Sequence, residues 1–157
     1  MILRDFLLSG VVVSTILWQT SKTFLLPSTP PAPTPSFTGA RFPPPTPRHE
    51  TVEWAYTFDV HTNAFFPLYL TLYLAQLFLL PVIQKNNWLC LWVGNTLYLA
   101  GFAQYIYGTY LGLSALPYLA HTTLLLAPLL PLGAAYVVSL IGFRVAPWFL
   151  AVYFASS

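Results

Sequence analysis

Long apolar stretches separated by short polar turns constrain this chain more than any other feature of its sequence. Residues 64–84, 88–111 and 122–142 contain no Asp, Glu, Lys or Arg. Each is long enough to cross the apolar core of a membrane as a helix that rises about 1.5 Å per residue. Only 6% of the whole chain is charged, against about 25% in a typical soluble domain. The sequence therefore predicts an all-α fold, a polytopic bundle of transmembrane helices.

Two further apolar segments lie near the ends of the chain. Residues 1–26 hold a first span at 6–26, which carries a stripe of polar side chains that includes Lys22. The closing residues 145–157 are too few to span and predict a short interfacial helix. We therefore expect about four spans plus this short carboxyl-terminal helix.

Residues 27–50 hold nine of the fifteen prolines. A prolyl nitrogen has no proton to donate to a helix or a sheet, so this segment is predicted to be a disordered linker. Its cations Arg41 and Arg48, with Lys22 just before it, outnumber those of any other loop. By the positive-inside bias, the loop 27–63 is expected to be cytosolic.

Charge and cysteine content exclude several classes of function. A net charge of +2, spread along the chain, gives no basic patch and argues against nucleic acid as a partner. The single cysteine, Cys90, excludes an intramolecular disulfide framework and a zinc cluster built on thiolates. We expect no cofactor.

The segment 51–67 concentrates the polar side chains of an otherwise apolar chain. Residues 52–62 alternate almost strictly between apolar and polar, as a strand would, yet a helical count also gives one face, Trp54, Phe58, His61 and Phe65. The periodicity does not decide between the two. We expect an extended segment at the cytosolic interface that turns into a span near Asn63, with Asn63 as its N-cap.

This segment supplies the candidate site, a notch for a partner protein or a lipid headgroup. Its residues are Glu53, Trp54, Asp59, His61 and Asn63. Ionisable groups near lipid are costly unless they are paired, so the first alternative is a hydrogen bond between Asp59 and His61. The second is a metal or catalytic centre with Glu53 or His121 as a third ligand. We assign no catalytic residue and no metal ligand.

Other residues in the spans predict helix packing. Gly94, Gly101 and Gly108 recur every seven residues and would let a neighbouring helix approach closely, while Asn95, Gln76 and Gln104 are expected to form interhelical hydrogen bonds. Pro128 and Pro131 predict a kinked last span. Trp88 and Trp92 at one end of 88–111, and Tyr105, Tyr107 and Tyr110 at the other, are expected at headgroup level.

Three phrases together resemble the Unc-fifty (UNC-50) family of Golgi multi-pass membrane proteins. They are VEWAYTFDVHTNAFFPL at 52–68, VGNTLYL at 93–99 and YLGLSALPYL at 110–119. Family members are longer at the amino end, where they have a cytosolic region and one more span. The chain is thus similar to the family's carboxyl-terminal portion, and we expect an incomplete sequence or a truncated paralogue. The Pro-rich segment 27–50 departs from the family pattern.

The resemblance implies a non-enzymatic Golgi membrane protein that acts in vesicle and receptor trafficking. Family partners are large guanine-nucleotide exchange factors for Arf GTPases and receptor cargo, besides membrane lipid. Two alternatives from other classes stay open. One is a transporter or binding protein for small molecules or lipids, with a path lined by Asn95 and Gln104. The other is an intramembrane metal-dependent enzyme that uses Asp59 and His61.

Overall fold

A computed structural model of the chain describes residues 2–27, 51–85, 87–142, 145, 148, 151 and 152. The described residues contain no strand, so the predicted all-α class is confirmed. The α-helices are α1 (Ile2–Thr20), α2 (Trp54–Tyr69), α3 (Gln76–Ile83), α4 (Trp88–Ser114) and α5 (Leu129–Ser139). A π-helical segment, Ser21–Leu25, extends α1, and another, Leu70–Ala75, joins α2 to α3. A 3-10 helix, Thr122–Leu126, precedes α5.

Two predictions fall wholly or largely on residues outside the described ranges. The disordered linker lies at 27–50, where only Pro27 is described. Of the expected carboxyl-terminal helix, the four described residues, 145, 148, 151 and 152, are helical.

The expectation of an extended segment before Asn63 is wrong. Glu53 is the last extended residue, and α2 starts at Trp54 and runs through Asn63 without a break. The buried side chains of α2 are Thr57, Val60, His61, Ala64 and Leu68, which recur with the helical period. In apolar surroundings a helix satisfies its own backbone hydrogen bonds, which an unpaired extended segment cannot do. The alternation at 52–62 was therefore misleading.

One continuous helical rod, Trp54–Ile83, is formed by α2, the π-helical segment and α3 and contains 30 residues. Pro67 and Pro81 lie inside it. The wider π-helical turns, Leu70–Ala75, lie between these two prolines. The rod and the segment Thr122–Ser139 are both long and apolar enough to cross a membrane.

The central helix of the bundle is α4, which packs against α2, α3, α5 and the 3-10 helix. Glycines bring α4 close to the Trp54–Ile83 rod: a Cβ atom added at Gly101 would lie 3.1 Å from the Leu72 side chain. One added at Gly108 would lie 3.2 Å from the Cβ of Ala64. The predicted close packing at Gly101 and Gly108 is confirmed.

The last apolar stretch changes helix type where the prolines occur. The 3-10 helix ends at Leu126, and Pro128 immediately precedes α5. Pro131 falls in the first turn of α5, where a missing N–H leaves no helical hydrogen bond unmade. The predicted kink thus takes the form of a change from 3-10 to α-helix.

Candidate functional site

The helical conformation of α2 divides the predicted notch between two faces. Successive residues of an α-helix are about 100° apart, so Asp59 and His61 point in nearly opposite directions. Asp59 and Asn63 are exposed, whereas His61 is only 2% exposed. The structure therefore does not bring the five predicted residues together in one cleft.

The outer part of the site carries the acidic side chains. The amide Nδ2 of Asn63 donates to Oδ2 of Asp59 across 3.3 Å. Glu53, in the N-cap position, is exposed and its side chain makes no capping hydrogen bond. Trp54 is 37% exposed and its indole nitrogen donates to the Thr15 hydroxyl of α1 across 3.1 Å. The exposed polar side chains of Glu53, Asp59 and Asn63 form an outer acidic face at the start of α2, whereas Trp54 lies seven residues before His61 and therefore on the same side of the helix as His61.

His61 forms the inner part of the site. Its Nδ1 atom lies 2.6 Å from the hydroxyl oxygen of Tyr105 on α4, so Tyr105 rather than Asp59 is its partner. Its other ring nitrogen, Nε2, is buried and has no hydrogen-bond partner among the described residues. Three aromatic rings surround the imidazole: Phe6 and Phe65, with ring centres 6.4 and 5.7 Å away, and Tyr105 in an edge-on arrangement at 5.6 Å.

A glycine lets α1 come close to this imidazole. A Cβ atom added at Gly10 would lie 3.1 Å from the Phe58 ring and 3.6 Å from Cδ2 of His61. One turn further along α1, the backbone carbonyl of Ser14 accepts a hydrogen bond of 3.1 Å from Thr57. His61 thus lies at the junction of α1, α2 and α4.

The positions of Asp59 and His61 argue against the metal and catalytic alternatives. Asp59 and His61 would have to converge, but they lie on opposite faces of α2. Within the described ranges, no three His, Cys, Asp or Glu side chains lie close enough to hold a metal ion. His121, considered as a third ligand, has a left-handed backbone with φ of 56° and lines a groove of about 650 Å³ with Phe24 and Leu130.

Three polar side chains of α4, those of Asn95, Tyr98 and Gln104, form hydrogen bonds with neighbouring helices. Asn95 donates to the Ser139 hydroxyl of α5 across 2.9 Å. Thr71 donates to Gln104 across 2.9 Å, and the Tyr98 hydroxyl donates to Gln76 across 3.1 Å. The prediction that Asn95, Gln76 and Gln104 form interhelical hydrogen bonds is confirmed.

Sequence reasoning missed the inner partners of His61. Tyr105 was assigned to an aromatic belt, and no role was given to Gly10. The signal that could have found this junction is the helical count that places Phe58, His61 and Phe65 on one face of α2, because two aromatic residues beside a histidine predict a face covered by another helix.

Comparisons with known proteins cover most of the chain. The family described as "UNC-50 family" matches residues 1–154. A protein named "Protein unc-50 homolog" from Dictyostelium discoideum is 39% identical over 140 residues, covering 87% of this chain and 47% of the relative. "Protein GMH1 homolog" from Schizosaccharomyces pombe is 38% identical over 165 residues, covering 100% of this chain and 62% of the relative. "Protein unc-50 homolog" from Mus musculus is 39% identical over 132 residues, covering 83% and 44%. No solved structure matches the chain.

The chain thus spans about half the length of the curated relatives it matches. The family match nevertheless includes α1, the Trp54–Ile83 rod, α4 and α5, and with them both parts of the candidate site. A family match over nearly the whole chain, together with relatives at this level of identity, establishes that the chain belongs to the UNC-50 family.

Proposed function

We propose that this chain is a multi-pass Golgi membrane protein that acts without catalysis in vesicle and receptor trafficking. It serves as a scaffold for Arf exchange factors or for receptor cargo. Membership in the UNC-50 family supports the proposal, since the Unc-fifty resemblance implies this role.

The proposed arrangement in the membrane has four spans, with the loop 27–63 on the cytosolic side. The two candidate spans Trp54–Ile83 and Thr122–Ser139 support it. Between them, α4 contains 27 residues, about 40 Å of helix, which is enough to return across the bilayer. With α1 as the remaining span, successive helices cross in opposite directions.

The observation that carries the proposal is the outer acidic face. A helix of 30 residues is about 45 Å long, whereas the hydrocarbon core of a bilayer is about 30 Å thick. We place this excess at the amino-terminal end of the rod, which would put Glu53 and Asp59 at headgroup level, within reach of a cytosolic protein. Among the described residues, neither carboxylate forms an ion pair. Two exposed acids without an ion-pair partner would suit a basic segment of a partner protein.

A trafficking assay tests this face. The variants Asp59→Ala and Glu53→Gln, alone and combined, should lower surface delivery of a reporter receptor while the protein still reaches the Golgi. The matched control is Gln84→Ala, which changes an exposed polar side chain just beyond the other end of the same rod. Undiminished receptor delivery with the combined variant would contradict the proposal.

A second experiment locates the partner surface. Proximity labelling and co-purification should be compared for this chain and for a version extended with the family's amino-terminal region. Recovery of Arf exchange factors by both, and its loss from both with the combined acidic variant, is the expected result. Recovery by the extended version alone would place the partner surface outside residues 1–157.

A further inference from the structure

We propose that His61 forms a proton-sensitive contact that holds α1 against α2 and α4. The neutral imidazole permits the docked arrangement, and a proton bound at Nε2 releases α1. This inference does not depend on the proposed trafficking role, because it concerns the inner part of the site and no residue of the outer acidic face.

The first step of the argument is the hydrogen-bond inventory of the imidazole. A neutral histidine has one nitrogen that donates and one that accepts, whereas the imidazolium has two donors and no acceptor. The short contact between Nδ1 and the Tyr105 hydroxyl satisfies the first nitrogen in either state, because a hydroxyl both donates and accepts. When Nδ1–H donates to the Tyr105 hydroxyl, the neutral ring has only a lone pair at Nε2, and this tautomer avoids a buried N–H without a partner. The second proton then binds at Nε2.

The second step is the surroundings of Nε2. A Cβ atom added at Gly10 would lie 3.7 Å from Nε2, so the backbone of α1 covers this nitrogen. The rings of Phe6 and Phe65 lie beside it and offer no hydrogen-bond acceptor comparable to a carboxylate. An N–H created here by protonation would be buried without a partner, which is costly for a charged group.

The third step is the absence of a compensating negative charge among the described side chains. From α1, the side chains of residues 6–20 include no titratable group. From α4, Tyr105 faces the imidazole, and Thr109 is buried one turn further on. On α2 itself, Asp59 is exposed on the opposite face and Glu53 lies two turns away at the start of the helix.

The fourth step is the set of contacts that α1 must break to leave. The π-helical extension of α1 ends in Leu25, which is fully buried against Val52, Val60 and Leu113 and accepts a hydrogen bond of 2.7 Å from the Ala120 amide, so the part of α1 that precedes this anchor is the part that moves. Among the described residues, the hydrogen bonds between this part and the start of α2 run from Trp18 to the Val52 carbonyl, from Trp54 to Thr15 and from Thr57 to the Ser14 carbonyl. Separation would give Nε2 access to water, which is what the imidazolium requires.

The test measures the distance between α1 and α4 as a function of pH. The full chain, with Cys90→Ala, is labelled with nitroxides at Val12→Cys and Leu111→Cys and placed in lipid nanodiscs. Both positions are about half exposed, so the labels do not disturb the core. Double electron–electron resonance is recorded from about pH 8 to about pH 5, the range in which an imidazole titrates. On acidification, the population ratio of a second, longer distance to the shorter one should rise. The rise should be at most about tenfold per pH unit, which is the limit for the binding of one proton.

Matched variants assign the effect to His61. His61→Asn keeps an amide group near the position of Nδ1 and cannot be protonated in this range, and His61→Gln is a second neutral replacement. Both should keep one distance at every pH, while the control Asp59→Asn behaves as the unchanged chain. A distance that does not depend on pH in the unchanged chain would overturn the proposal. The same pH dependence in the His61 variants would also overturn it, and Asp5→Asn would then test the acid that precedes Phe6 in sequence.

Discussion

The Nδ1 atom of His61 on α2 lies 2.6 Å from the hydroxyl oxygen of Tyr105 on α4, and both side chains lie between helices that are distant in sequence. This contact belongs to the buried face of α2, which also includes Thr57, Val60 and Ala64 and which sets the rotation of the helix about its own axis. With His61 turned inward, Asp59 and Asn63 must face outward. The position of the outer acidic face therefore depends on a contact that it does not include.

Tyr105→Phe should lower the free energy of unfolding by about 1 kcal/mol. The substitution keeps the ring but leaves Nδ1 of His61 buried without its partner, and hydrogen bonds between membrane helices contribute about 0.6 kcal/mol on average, up to about 1.7. Thermal unfolding in detergent, followed by tryptophan fluorescence, measures the change. Tyr107→Phe removes a hydroxyl from an exposed tyrosine on the same helix and should change stability by less than about 0.5 kcal/mol. Equal losses in the two variants would argue against a specific role for the His61 contact.

Gly112→Ala should destabilise the packing of α4 against α2 by about 1–3 kcal/mol. A Cβ atom at Gly112 would lie 2.7 and 2.8 Å from the two methyl carbons of Val60, closer than atoms can pack. Val60 is β-branched and buried, so it has no alternative rotamer that avoids the clash at low cost. The measurement is the midpoint of unfolding in detergent.

Two companion variants make the Gly112 result specific. Val60→Ala combined with Gly112→Ala should recover much of the lost stability, because the clashing methyl groups are gone. A Cβ atom at Gly133 of α5 would meet nothing within 4 Å, so Gly133→Ala should be neutral or should stabilise the protein by up to about 1 kcal/mol through its higher helix propensity. A loss with Gly133→Ala as large as with Gly112→Ala would contradict the packing explanation.

The sequence predicted the features that depend on composition and on regular spacing. Apolar stretches predicted an all-helical chain, and glycines spaced by seven predicted close approach at Gly101 and Gly108. A polar group in apolar surroundings needs a hydrogen-bond partner. Interhelical hydrogen bonds were therefore predicted for Gln76, Asn95 and Gln104 although their partners were not known. None of these predictions required the identity of the neighbouring helix.

The predictions that failed depended on which face of α2 meets another helix. The alternation at 52–62 fits a strand and a helix, and only tertiary packing of α1 and α4 decides between them. Asp59 and His61 are two residues apart, which brings side chains together in an extended segment and separates them in a helix. The contact between Tyr105 and His61 was not predicted for a similar reason, since a tyrosine near a helix end satisfies its hydroxyl equally well in water or on a buried histidine.

Asn95 and Ser139 should show energetic coupling in a double-mutant cycle. Nδ2 of Asn95 donates to the Ser139 hydroxyl across 2.9 Å, and its Oδ1 accepts from the backbone of Val145 across 3.0 Å. Both polar residues are at most 5% exposed. The double variant Asn95→Ala and Ser139→Ala should lose about 1 kcal/mol less free energy of unfolding than the sum of the losses in the two single variants. Simple additivity, measured by unfolding in detergent, would mean that the two side chains do not stabilise the contact between α4 and α5.

Trp18→Phe should loosen the attachment of α1 to the start of α2. The indole nitrogen of Trp18 donates to the backbone carbonyl of Val52 across 2.9 Å, and Lys22 places its ammonium nitrogen 3.6 Å from the centre of the Trp18 ring. Phenylalanine keeps an aromatic ring but cannot donate, so the Val52 carbonyl loses its partner and the free energy of unfolding should fall by about 1 kcal/mol.

Lys22→Ala removes only the cation–π contact and should lower the free energy of unfolding by about 0.5–1 kcal/mol. Trp92→Phe is the matched control, because Trp92 is 42% exposed. A loss with Trp92→Phe as large as with Trp18→Phe would show that the size of the indole, and not its hydrogen bond, determines stability.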